Sequence, residues 1–136
     1  MTPGDKLAAA GQTLVGCRFR LHGRDPVNGL DCVGVVAAAL ERAGFRADLP
    51  NDYAMRSQGE GRAAELAGRW GFVPVGGAPL LGDVLLIRVG PCQSHFVLCV
   101  QDGNVIHAHA SLRRVVRSPS PPDGNLIGQW RLLDPE

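Results

Sequence analysis

Nowhere in the chain do about 18 apolar residues run unbroken, so the sequence encodes no membrane-spanning helix. A dominant charge is also missing: 14 Lys and Arg stand against 13 Asp and Glu, leaving a net charge of +1. Without a field of one sign, neither nucleic acid nor an anionic membrane surface is expected as a partner. The opening MTPGDKLAAAGQTLVG lacks the basic start and apolar run of a signal peptide, which predicts a protein made in the cytoplasm without one. The four cysteines, Cys17, Cys32, Cys92 and Cys99, lack close-paired spacing and are read as thiols rather than as a disulfide framework. No internal repeat is present. What remains is a chain of 136 residues with 45% hydrophobic content, enough for one core, and residues 1–136 are read as a single domain.

Thr2 and Pro3 supply an N-cap and a first-turn proline for a helix to about Val15, stopped by Gly16. A second helix is predicted from about Asp31 to Ala43, closed by Gly44, and GRAAELAGRWG, residues 61–71, reads as a third. After Trp70 short apolar runs alternate with Gly and Pro: FVPV, DVLLIRV, HFVLCVQ, NVIHAHA, RRVVR and LIGQWRLL. These read as strands, and SPSPPDG, Ser118 to Gly124, as a loop. Helices followed by an antiparallel meander predict an α+β fold with helices packed on a sheet.

The second helix carries the chemistry. From Val33 to Ala43 nearly every face is apolar or small, which predicts a helix buried on most sides. Asp31 is a natural N-cap for it. A lone cysteine is most often a small buried hydrophobe. Cys32, however, lies in the first turn, where the positive end of the helix dipole favours a thiolate, and this predicts the most reactive of the four thiols. A nucleophilic cysteine needs a base, and the base an orienting partner. His22 sits in a loop among arginines, whereas His95, His107 and His109 fall within one predicted hairpin. With a two-residue turn at Asp102 and Gly103, Val100 would face Val105, and alternation would set His95 and His107 on opposite faces unless a bulge or irregular strand entry intervened. Cys92, His95, Cys99 and His107 form a rival zinc set, but their spacing matches neither paired clamps nor fingers, so no metal is expected.

GCRFRLHGRDPVNGLDCVGVV, Gly16 to Val36, resembles the signature of the NlpC-type cysteine peptidases, a papain-like family that cuts bacterial cell-wall peptides. More narrowly it is similar to the compact branch found in phage tails and gene transfer agents. The resemblance continues through PLLGDVLLI, Pro79 to Ile87, and HFVLCVQDGNVIHA, His95 to Ala108. It implies a papain-like NlpC-type fold with the nucleophile at the N-terminus of a buried central helix. It places the nucleophile on Cys32, the base on His95 and the third polar residue on His107, with His109 in reserve, and it implies no cofactor. The implied substrate is the peptidoglycan stem peptide, cut between D-glutamate, through its γ-carboxyl, and a diamino acid. The implied setting is a phage-like particle whose tail proteins are partners and which acts in the periplasm or cell wall. Phe19 stands where the family usually has Tyr, and Val33 where it has Ser; with Asp31 these are the candidate substrate-binding residues. The alternatives are a non-catalytic component of a tail-like particle, or an amidase or acyltransferase using the same triad.

Overall fold

A computed structural model describes residues 1–48, 63–90, 93–119 and 125–133. Helix α1, Pro3–Gln12, is opened by a capping box: Asp5 N–H donates to the Thr2 hydroxyl and Thr2 N–H to the Asp5 carboxylate. It ends before the predicted Val15. Past Gln12 the backbone tightens into three-residue turns, Leu14 N–H to Gly11 and Val15 N–H to Gln12, and the Thr13 hydroxyl donates to Ala10 O at 2.6 Å.

A short hairpin, β1 (Arg24–Asp25) and β2 (Gly29–Leu30), then leads into α2, Cys32–Arg42. Both caps of α2 fall where predicted. Asp31 caps the start, and Gly44 closes the end with a positive φ of 95°. There the N–H groups of Gly44 and Phe45 return to the carbonyls of Glu41 and Leu40, the paired bonds of a Schellman motif. Residues 63–69 are helical, within the predicted third helix, and form α3.

The remaining strands are β3 (Phe72–Pro74), β4 (Val84–Gly90), β5 (Gln93–Cys99), β6 (Asn104–His109), β7 (Arg114–Pro119) and β8 (Asn125–Leu132). They form an antiparallel sheet in the order β3-β8-β4-β5-β6-β7. The α+β expectation therefore holds. Ser118 and Pro119, assigned from sequence to a loop, belong to β7. That strand lies at the sheet edge, where a proline's missing N–H costs no ladder bond. Residues 120–124 lie outside the described residues.

The sheet separates two apolar clusters. Leu7 of α1, Leu14 just past it, and Val35, Val36 and Leu40 of α2 pack with Leu86, Phe96, Leu98, Ile106 and Trp130 from one sheet face. The alternate residues of the same strands, Leu85, Ile87, Val97, Cys99 and Val105, form the second cluster. Packed on the first face, α2 begins at Cys32 near the backbone of Phe96, while His95, His107 and His109 fall at the alternate strand positions shared by Val97, Cys99 and Val105 of the second face.

Candidate active site

The hairpin between β5 and β6 determines which side chains meet. Its ladder pairs Leu98 with Ile106 and Cys99 with Val105, and Val100 N–H donates to Asn104 O. The connection is thus three residues, Gln101–Gly103, rather than the two of a strict Asp102-Gly103 turn. Asp102 and Gly103 both take positive φ, 63° and 71°, a conformation that Asp tolerates and Gly adopts freely. The extra residue changes the parity of the pairing. His95, His107 and His109 now share one face of the sheet, with no bulge needed in this hairpin.

On that face His95 Nε2 lies 3.4 Å from His107 Nδ1, and the rings meet edge to face with centroids 5.5 Å apart. His107 Nε2 lies 3.2 Å from the Ser118 hydroxyl on β7. His109 is one step further out. Its ring is 5.8 Å from that of His107, and its Nδ1 accepts from Leu112 N–H at 3.2 Å. The residue beside His95 is therefore His107.

Cys32 is the first residue of α2 and is 9% exposed. The backbone N–H groups of Phe96, the residue after His95, and of Val33 lie near enough to the sulfur to favour its thiolate. The helix start and the histidine strand thus converge at the thiol. Contrary to the sequence-based expectation, the thiol is not acidic: burial pushes it up to about 11, assisted by the charge of Asp31, against the smaller effect of the two N–H groups and Arg24. Desolvation of a thiolate outweighs the helix terminus here. His95 moves in the complementary direction. Burial first, then the neighbouring His107 and His109, hold its imidazole down to about 4. His107 is also lowered, by burial and by His109. Both groups rest neutral, the thiol at the start of α2 and the imidazole near the start of β5.

Asp31 has its carboxylate filled. Oδ1 accepts from Gly34 N–H at 2.8 Å and from Arg24 at 2.6 Å, while Oδ2 accepts from His22 N–H at 3.1 Å. One acid therefore caps α2 and ties the β1–β2 hairpin to it. Gly34 makes this closeness possible, because a Cβ there would fall 2.2 Å from the Gly23 carbonyl oxygen. Asp31→Ala is expected to lower unfolding stability by roughly 2–4 kcal/mol, since it deletes a cap and strands a partly buried arginine. Urea unfolding measures the loss, and an unchanged midpoint would refute the clamp.

The other two candidates differ in position. Phe19 is partly buried against the core, its N–H donating to Arg113 O at 3.0 Å. Val33 is 1% exposed and packs into the core, so its side chain presents nothing to a ligand. Of the rival zinc set, Cys92 lies outside the described residues, and Cys99 is buried in the second cluster. Among the described residues no group of three His, Cys, Asp or Glu side chains is arranged to hold a metal ion.

No protein-family model matches the sequence, and no curated relative does. Solved structures match over nearly the whole chain. The structure of NlpC1 from Trichomonas vaginalis matches with a TM-score of 0.72 at 21% identity, over 96% of this chain and 45% of that one. An NlpC/P60 family protein from Bacillus cereus matches at 0.71 and 23%, over 98% and 42%. The peptidoglycan hydrolase RipB from Mycobacterium tuberculosis matches at 0.58 and 18%, over 97% and 65%. The chain spans less than half the length of the first two. Its fold is that of the NlpC/P60 proteins.

Proposed function

We propose that this NlpC/P60 fold carries a cysteine peptidase that hydrolyses peptide bonds in peptidoglycan stem peptides, with Cys32 as nucleophile, His95 as base and His107 as the residue that orients the base. The observation that supports it most directly is the convergence of the Cys32 sulfur, at a helix start, with the strand whose His95 ring touches His107. That a structural neighbour is a peptidoglycan hydrolase supports the choice of substrate.

Because the resting pair is neutral, the chemistry is general-base catalysis. His95 takes the thiol proton as the sulfur attacks the scissile carbonyl carbon, which avoids maintaining a buried thiolate. In this mechanism the N–H of Cys32, first in α2 and without an intrahelical acceptor, meets the developing oxyanion. His95 then gives its proton to the leaving amine as the C–N bond breaks. Water, deprotonated by His95, cleaves the thioester and restores the thiol. The bond we propose is the one between D-glutamate, through its γ-carboxyl, and a diamino acid. Phe19, partly buried and bridged to Leu30 of β2, is the candidate substrate contact. The likeness of Gly16 to Val36 to the phage-tail and gene transfer agent branch supports delivery to the wall by such a particle.

Purified sacculi tested with the protein should release peptides with a new N-terminal amine on the diamino acid. Sacculi that release nothing would overturn the reading.

A further inference from the structure

We propose that Ser118, with the carbonyl of Pro119, is a positioning residue that sets which ring nitrogen of His95 is free to act as base. The inference rests on the peptidase reading for its catalytic consequence, but the proton order itself does not. The Ser118 hydroxyl donates to Pro119 O at 3.3 Å, and Ser118 Oγ lies 3.2 Å from His107 Nε2. A carbonyl oxygen can only accept. With its own hydrogen directed at that carbonyl, the hydroxyl accepts from His107, and His107 then carries its proton on Nε2. His107 Nδ1 is then a lone pair, and it lies 3.4 Å from His95 Nε2. It accepts from His95 in turn, so His95 is also protonated on Nε2, and Nδ1 is left bare.

The opposite order is chemically incompetent. If Ser118 donated to His107, the protons would shift along the row, and His95 would carry hydrogen on Nδ1, the nitrogen that the peptidase reading gives to the thiol. Such an imidazole cannot take a proton from Cys32 through that atom. When His95 Nδ1 does accept one, the imidazolium's Nε2–H still points at His107, and the row Nε2–H to Nδ1, Nε2–H to Oγ, O–H to carbonyl stays intact. No proton leaves the row: Ser118 orients and transfers nothing.

Long-range proton–nitrogen correlation spectra of the full chain at pH 7 test this. Both His95 and His107 are expected as Nε2–H tautomers in the wild type. In Ser118→Ala, His107 should lose that preference, with kcat falling about tenfold and KM changing little, whereas Ser118→Thr, which keeps the hydroxyl, should restore both tautomer and kcat. His107 protonated on Nδ1 in the wild type, or tautomers and kcat unmoved by Ser118→Ala, would overturn the proposal. The expected tautomers in a wild type that cleaves no wall peptide would uphold the proton order and overturn the peptidase reading instead.

Discussion

Cys32→Ala is expected to reduce peptide release from sacculi by about 10,000-fold or more, to the background of the assay, because it removes the thiol proposed to form the thioester. His95→Ala should cost nearly as much. With the thiol held up to about 11 by burial, almost no thiolate is present at neutral pH, so the reaction depends on the base to remove the proton. An enzyme with a preformed thiolate would tolerate loss of the base better. His107→Ala should leave a measurable rate, down by roughly 10- to 100-fold, since it orients His95 without receiving the proton. His109→Ala should do less still, because its ring reaches His107 rather than His95. All four variants are to be compared at equal unfolding midpoints. A folded Cys32→Ala protein that still cleaves would refute the nucleophile, and a folded His109→Ala protein worse than His107→Ala would mean that the wrong third residue has been named.

Much of this site could be read before the fold was known, and the parts that could not have physical reasons. Small residues on every face of Val33 to Ala43, an acid before them and Gly44 after them define α2 locally, and local signals survive into the structure. The Asp102-Gly103 pair marked a turn correctly but left its length open. Both a two-residue and a three-residue connection accept that dipeptide, and the choice is made by the ladder, where Val100 bonds to Asn104. One residue of length decides whether three histidines share a face. Ser118 went unnoticed because SPSPPDG carries loop composition, and a strand at a sheet edge tolerates such composition. The Arg24–Asp31 clamp was hidden too, since β1 and β2 have two residues each and show no periodicity. The acidity of Cys32 was misjudged for a different reason. A helix start is visible in sequence, whereas desolvation depends on Phe96 and the rest of the sheet arriving from sixty residues away.

The same desolvation sets the last expectation, a catalytic pH profile displaced far to the acid side. The proposed mechanism requires His95 in its neutral form, and the ring is held down to about 4 from an ordinary value of 6.5. The groups facing it are His107 and His109, which disfavour its protonation, and Asp31, which favours it without prevailing. The acid limb of kcat/KM should therefore fall near pH 4, so that the rate at pH 5, where an ordinary imidazole would have lost most of its base form, is close to that at pH 7. Stability should respond with a definite sign. The folded value lies below the unfolded one, so above pH 6.5 the group contributes no dependence, and between 6.5 and 4 the unfolded chain binds the proton more readily. Unfolding stability should decline across that window by up to roughly 3 kcal/mol from His95, and lowered His107 acts in the same direction. His95→Gln should flatten the decline while leaving the contribution of His107. An acid limb near 6.5, with wild type and His95→Gln losing stability in parallel, would mean that His95 is solvated in solution and that the neutral thiol–imidazole pair is not the resting state.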